Sequence, residues 1–162
     1  FPSDLWVDPD GAVHILWTER ALDERLREKF FPEAKQSHAL NYAILRDGKV
    51  ELRRTLALAE EGGSELKPGP GRFHITPENR LYVIYFLEGT DTSGKSVAEN
   101  RLLEITSGGI PGTSMVIPLK KPFSSFFTAT VRAGSKPSEV IDMLGVPEGV
   151  KNTISYARIR LY

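Results

Sequence analysis

Three arginine side chains suggest the most specific chemistry in the sequence, which is recognition of an acidic ligand. Arg72, Arg101 and Arg132 each fall near the end of a predicted strand. A guanidinium group donates two parallel N–H groups to a carboxylate or sulfate, so arginines around one opening can bind oxyanions. The alternative is that each arginine pairs with a neighbouring carboxylate, such as Glu99 or Glu88.

Two further side chains, His74 and Glu99, could transfer a proton. A histidine titrates near neutral pH and can act as a general base. Glu99 and Glu88 could act as general acid and base on a glycosidic bond, which usually needs two carboxyl groups roughly 5–10 Å apart. The alternatives are two ordinary surface glutamates and a packed histidine, because His74 takes the place of Trp6 in a repeat.

His38 and Asn100 complete the candidate set. The predicted catalytic residues are His74 and Glu99, and the predicted substrate-binding residues are Arg72, Arg101, Arg132, His38 and Asn100. No metal or cofactor is expected, because the three histidines are far apart in sequence and the chain has no cysteine. His14 lies among apolar neighbours in a predicted strand, and Tyr42 and Tyr156 occupy near-equivalent strand positions, so packing is expected for all three.

An internal repeat supplies the elements that must position these residues. Segments 5–17 and 73–85 match at an offset of 68 residues. In both, a short apolar run meets a proline-containing turn that ends in Gly or Asn, and a β-branched and aromatic run follows. Gly and Asn tolerate positive φ, so each segment is predicted to be a β-hairpin. Further strands are predicted at residues 38–45, 50–58, 98–105, 114–119, 125–132 and 153–159.

Repeated four-stranded antiparallel units are typical of β-propeller blades. The predicted fold is therefore all-β, with antiparallel four-stranded blades of a partial β-propeller and two short helices in loops. The blade-like units are residues 4–58, 71–119 and 123–162. Because propellers close with at least about four blades, we expect a single domain or segment completed by further blades of a parent chain. The alternative is a free-standing β-sandwich.

The two predicted helices lie in connections between strands. Thr18 is predicted to cap the first, in which Leu22, Leu26 and Phe30 form one inward-facing apolar stripe that Pro32 ends. The second is predicted at residues 138–144, between a proline suited to a first turn and Gly145 at the C′ position.

Long connections are predicted at residues 18–37, 60–71, 88–97 and 134–152. In an up-and-down sheet these connections emerge on one face, opposite the tight turns. Binding residues concentrate on loops that a rigid scaffold holds, so this face is the predicted functional surface.

Composition narrows the possible partners. The 162 residues include 21 Lys and Arg and 21 Asp and Glu, so no basic field draws the chain to nucleic acid. No run of 18 apolar residues occurs, and no membrane span is expected. The first residue is Phe rather than Met, so we expect a piece of a longer chain.

The pattern Asp8-x-Asp10-Gly11-x-x-His14-Ile15-Leu16-Trp17, followed by a second hairpin of the same form, resembles the blade hairpins of the bacterial sialidase-like, BNR-repeat propeller superfamily. The resemblance covers residues 4–58 and 71–119. It implies a glycan-facing propeller of an exported protein, extracellular or periplasmic, that acts on acidic glycans as a glycoside hydrolase or polysaccharide lyase. The alternative is a noncatalytic carbohydrate- or protein-binding propeller or a β-sandwich module. The Ser-x-Asp-x-Gly-x-Thr-Trp box and the Arg-Ile-Pro of sialidases are absent, so the resemblance transfers no catalytic residue.

Overall fold

A computed structural model describes residues 1–129, 131 and 134–161. It confirms an all-β, antiparallel chain, folded into three sheets that follow one another in sequence. The first sheet contains β1 (Pro2–Val7), β2 (Val13–Arg20), β3 (Ser37–Arg46) and β4 (Lys49–Glu60). The second contains β5 (Lys67–Ile75), β6 (Leu81–Thr90), β7 (Ser96–Thr106), β8 (Ile110–Pro111) and β9 (Met115–Val116). The third contains β10 (Phe123–Thr128), β11 (Val140–Pro147) and β12 (Ser155–Arg160). Within the described residues none of the three sheets closes on itself.

Both hairpins predicted from the repeat are present. β1 pairs with β2, and β5 pairs with β6, around turns in which Gly11 has φ +82° and Asn79 has φ +63°. These two residue types adopt a left-handed conformation most easily, which is why the turns form there. The fourth strand predicted at residues 114–119 is much reduced: on the edge of β7 that does not pair with β6, the described residues form the two-residue strands β8 and β9.

One predicted helix exists, with different bounds. Helix α1 spans Glu24–Phe30, and its cap is Asp23, whose side chain accepts from the backbone N–H of Arg25. The prediction that Thr18 caps this helix is wrong, because β2 continues past Thr18 to pair with β3. The inward-facing apolar stripe is also wrong, since Leu26 and Phe30 are 49% and 56% exposed.

The second predicted helix is wrong, because β11 occupies residues 140–144 of the predicted range. Ile141 and Met143 are fully buried while Leu144 is half exposed, an alternation that fits a strand and not a helix. Gly145 is needed for close packing rather than for a helix end. A Cβ there would lie 2.6 Å from the carbonyl oxygen of Ser125 and 2.8 Å from Cβ of Phe126.

The three sheets stack face to face in chain order and enclose two separate cores. We call the side of each sheet that points to the next sheet its forward face, and the other side its backward face. The first core joins the forward face of the first sheet to the backward face of the second: Leu16, Leu40, Tyr42, Phe73, Val83, Tyr85 and Leu103. The second core joins the second and third sheets in the same way: Tyr82, Ile84, Phe86, Leu102, Phe126, Ile141 and Met143.

The first strands of the three sheets lie next to one another. The buried carboxylate of Asp4 in β1 accepts from the backbone N–H of Phe73 in β5 at 2.9 Å. The hydroxyl of Thr128 in β10 donates to the carbonyl of the same Phe73 at 3.3 Å. These bonds tie β1, β5 and β10 together along one edge of the stack.

The long connections do not all lie on one end of the sheets. The β2–β3 connection, which carries α1, lies on the predicted end, and so do the β4–β5, β6–β7 and β11–β12 connections. The described part of the β10–β11 connection lies on the end with the tight turns, where Ser138 bonds to Ile75 and His74 at the end of β5. The predicted long connection at 134–152 is wrong because it contains β11. No helix among the described residues is long and apolar enough to cross a membrane.

Candidate functional site

A cleft of about 580 Å³ opens between the first and second sheets at the end that carries the tight turns. Residues at or beside the β1–β2, β3–β4, β5–β6 and β7–β8 turns line it. Gly109 has φ +71° and lies close against the first sheet, where a Cβ would fall 2.4 Å from a side-chain carbon of Leu52. The cleft therefore lies opposite the predicted functional surface.

A hydrogen-bonded chain of three side chains, Asp8, His14 and Tyr42, forms one wall of this cleft. The Tyr42 hydroxyl lies 2.7 Å from Nδ1 of His14, and Nε2 of His14 lies 3.4 Å from Oδ2 of Asp8. A carboxylate only accepts hydrogen bonds, so the His14 proton belongs on Nε2 and Nδ1 accepts from Tyr42. Trp6 packs on the His14 ring, with the ring centroids 4.7 Å apart.

Burial strongly affects the protonation of these three side chains. It lowers the pKa of His14 below its usual value, against the opposing effect of Asp8, so His14 is neutral at pH 7. Burial also raises the pKa of Tyr42, which keeps its O–H as a donor. Burial opposes ionisation of Asp8, but the N–H of Ala12 and the His14 ring lower its pKa overall. The wall thus presents a carboxylate that is ionised at pH 7 beside a neutral imidazole.

Two ion pairs lie at the rim of the cleft. One of them, Arg80–Glu104, is on the forward face of the second sheet beside Tyr82, where it also lines a neighbouring cleft of about 380 Å³. Arg80 donates from Nε and Nη2 to the two carboxylate oxygens of Glu104, each at 2.8 Å. Arg46 donates from Nε to Glu51 at 3.2 Å and from Nη1 to the carbonyl of Asp10 at 3.1 Å. The hydrogen bond from Arg80 lowers the pKa of Glu104. Each pair keeps lone pairs and N–H groups that a ligand can use.

The predicted ligand-binding residue Arg72 links the first strands of the sheets. Its Nη1 donates to the carbonyl of Ser3 in β1 at 2.5 Å and to that of Gly71 at 2.9 Å. Its guanidinium carbon lies 5.3 Å from the ring centroid of Phe127 in β10. Arg72 therefore bridges all three sheets.

The predicted base His74 is 4% exposed and lies at the end of β5, next to a tight turn. Its Nε2–H donates to the carbonyl of Ser138 at 2.7 Å, and its Nδ1 has no hydrogen-bond partner among the described residues. Burial lowers the pKa of His74, so the ring is neutral at pH 7. It lies away from the predicted functional surface, because β5 begins at Lys67, earlier than the repeat suggests.

Arg101 and Glu99 form a pair with each other on β7. Nε of Arg101 donates to Oε1 of Glu99 at 2.6 Å. Asn100, between them, is fully buried and points to the opposite face, where it bonds to the backbone of Phe123. Its amide is thus used for contact with the third sheet.

The predicted site residues do not converge. Arg72 and His74 pair with Ile84 and Tyr82 and share the forward face of the second sheet. Arg101 pairs with Tyr85 and shares the backward face with Glu99. The two predicted catalytic residues therefore lie on opposite faces of one sheet.

His38 lies in another cleft, of about 340 Å³, at the end that carries α1. Lys67 and Glu88 line it as well. Burial, and then the charges of Lys67 and Arg20, lower the pKa of His38. The remaining predicted ligand-binding residue, Arg132, lies outside the described residues.

Comparison with models of protein families, with curated proteins and with solved structures found no match. Among the described residues, no group of three or more His, Asp or Glu side chains could hold a metal ion.

The Asp8–His14–Tyr42 group was not predicted from the sequence, because His14 has apolar neighbours. Strand alternation was the available signal. His14 and Leu16 are two residues apart on one face of β2, so a buried Leu16 places His14 on the same buried face. An acidic residue at the start of the adjoining turn is then within reach of the imidazole.

Proposed function

We propose that the three sheets are neighbouring blades of a β-propeller and that this segment binds carbohydrate noncatalytically in the cleft between the first two sheets. The observation that carries the proposal is the cleft itself, which combines an aromatic side chain with paired guanidinium and carboxylate groups. The superfamily resemblance supports a glycan ligand, and with it an extracellular or periplasmic location.

Repeated packing supports the propeller. Trp6, His14 and Leu16 lie on the forward face of the first sheet, and the residues 68 positions later, His74, Tyr82 and Ile84, lie on the forward face of the second. Equivalent positions of the repeat thus pack against the following sheet in both the first and the second sheet. A two-layer sandwich encloses one core, whereas this chain encloses two.

The chemistry of the cleft favours a sugar. Sugar rings combine hydroxyl groups, which both donate and accept, with apolar C–H faces. The Arg80–Glu104 pair offers donors and acceptors side by side, and Trp6 offers an apolar surface. Since each rim cation is already paired with a carboxylate, the cleft suits neutral hydroxyl groups better than the acidic glycans predicted from the sequence.

The state of the ionisable groups favours binding over turnover. Tyr42 is fully buried and its pKa is raised, so it is a poor nucleophile at neutral pH. Both nitrogens of His14 are engaged by Asp8 and Tyr42. His74 and Glu99 lie on opposite faces of the second sheet.

The test is a glycan array followed by calorimetry on the glycans that bind, with analysis of the glycan after incubation. Arg80→Gln, which removes the bidentate contact to Glu104, is expected to weaken binding roughly tenfold. Arg101→Gln is the matched control, because Arg101 also pairs with a glutamate on the second sheet but lies outside the cleft. Binding that is lost in Arg101→Gln and kept in Arg80→Gln would remove the cleft as the site. Glycan cleavage would overturn the noncatalytic assignment.

A further inference from the structure

The two ends of the sheet stack expose apolar faces of the kind that the stack buries internally. On the forward face of the third sheet, Phe127 is 66% exposed, Leu144 51%, Tyr156 60% and Val146 38%. Cross-strand pairing sets Phe127, Leu144 and Tyr156 side by side. This face corresponds to the forward faces that are buried in the first and second sheets.

The backward face of the first sheet is the complementary surface. Leu5 is 41% exposed and Val7 51%, and Ile15 and Trp17 on the same face are partly exposed. The backward faces of the second and third sheets pack against the preceding sheet. One chain therefore carries both halves of the sheet-on-sheet contact that it makes twice within itself.

From this continuity we propose that the forward face of the third sheet packs against the backward face of the first sheet in a second copy of this chain, so that two copies close a ring of six sheets. The inference rests on the propeller part of the proposed function.

The number of sheets is compatible with two copies. Closed propellers contain about four to eight blades, so the three sheets formed by the described residues do not close a ring alone, whereas the six sheets of two copies fall within that range. A head-to-tail contact gives a ring when its rotation closes, and with two copies both apolar faces are buried in two equal interfaces. Burying both faces removes the exposed apolar surface that a stable soluble protein avoids.

Both of the faces that would dock carry charged side chains that form ion pairs within their own sheet. On the third sheet, Asp142 pairs with Arg158 at 3.2 Å and accepts from the Tyr156 hydroxyl at 2.5 Å. On the first sheet, Arg53 pairs with Glu19 at 3.0 Å and lies over the Trp17 ring. The third-sheet face also carries Arg160, in line with Arg158 and Tyr156 on β12, so it has one positive charge in excess, whereas Glu19 and Arg53 balance on the first-sheet face. Like-charge repulsion between the two faces is therefore small.

The test is the mass of the 162-residue chain in solution, measured by sedimentation equilibrium. The expected mass is twice the 18.0 kDa of one chain. Leu144→Lys places a charge in the contact and is expected to give the monomer. Phe30→Lys on α1 is the matched control, because Phe30 is similarly exposed at 56% but belongs to neither face, and it is expected to leave the dimer intact.

Cysteine cross-linking distinguishes head-to-tail contact from other dimers, and the natural chain has no cysteine to interfere. A mixture of Leu144→Cys and Ile15→Cys chains is expected to give a mixed cross-linked dimer. A Leu144→Cys chain that cross-links only to itself would indicate that two third sheets meet, and would overturn the proposal. A wild-type chain that is monomeric at about 100 μM, a concentration at which a micromolar contact is mostly occupied, would overturn it too.

The outcomes separate this inference from the glycan proposal. The cleft lies within one chain, so a Leu144→Lys monomer should bind the same glycan as the dimer. A wild-type monomer that binds glycan removes only the six-sheet ring, and a dimer that binds no glycan removes only the carbohydrate function.

Discussion

Asn100 in β7 binds the backbone of Phe123 in β10 through both ends of its side-chain amide. Nδ2 donates to the Phe123 carbonyl at 3.0 Å, and Oδ1 accepts from the Phe123 N–H at 2.6 Å. The Asn100 amide thus makes the pair of hydrogen bonds that the backbone of a neighbouring strand makes in a β-ladder. These bonds hold the start of the third sheet against the second. Asn100 was predicted to contact a ligand, and its amide is occupied by this contact.

Asn100→Ala should therefore destabilise the fold. It leaves a buried N–H and a buried carbonyl of Phe123 without their partner, and the free energy of unfolding should fall by about 1–3 kcal/mol. Asn41→Ala is the control, because among the described residues the Asn41 amide bonds to the side chains of Glu19 and Thr55 and not to backbone. Its loss should stay below about 1 kcal/mol in urea denaturation. Equal losses in the two variants would contradict the role assigned to Asn100.

Gly145→Ala should also be strongly destabilising, for a steric reason. The added Cβ would meet the Ser125 carbonyl at 2.6 Å and Phe126 at 2.8 Å, and backbone cannot move as easily as a long side chain. We expect a loss of about 1–3 kcal/mol by thermal or urea unfolding. Gly112→Ala is the matched control, since its nearest contact is 3.4 Å away, and it should change stability little. A Gly145→Ala chain as stable as the wild type would show that the second core is loosely packed.

The sequence predicted the hairpins well because their signals are local. A turn residue that tolerates positive φ, flanked by β-branched and aromatic runs, determines a hairpin within about 13 residues. β11 was predicted as a helix because Pro137 and Gly145 match helix-end preferences. The close approach of Ser125, which comes from the neighbouring strand, is the tertiary contact that explains Gly145.

The candidate site was harder to predict because it depends on which face each residue takes. Arg72 and Arg101 were placed together because both lie near strand ends. The cross-strand register puts Arg72 beside Ile84 and Arg101 beside Tyr85, on opposite faces. A one-residue change in register reverses a face, so loop position alone could not gather the right residues.

Stability should fall as the pH decreases below about 6.5, the pKa of an unperturbed histidine. Burial lowers the pKa values of His14 and His74 in the folded chain. Between their folded and unfolded pKa values the unfolded chain binds more protons, so protonation favours unfolding. Each such histidine contributes a slope of up to about 1.4 kcal/mol per pH unit. Urea denaturation between pH 8 and 5 measures this slope, and His74→Phe should reduce it. A stability that rises on acidification would contradict neutral, buried histidines.

The hydrogen bonds of His14 to Tyr42 and Asp8 lead to opposite predictions for the pKa of His14 when each partner is replaced. The Tyr42 hydroxyl donates to Nδ1 and thereby stabilises the neutral ring. Tyr42→Phe removes this donor, so the pKa of His14 should rise. The negative charge of Asp8 stabilises the protonated ring. Asp8→Asn removes this charge, so the pKa of His14 should fall. NMR titration of the His14 ring measures both shifts, with His38 as the internal reference because it lies in the other cleft. Shifts of the same sign in both variants would show that the His14 proton is not held on Nε2, and the hydrogen-bond pattern assigned to this wall of the cleft would then be wrong.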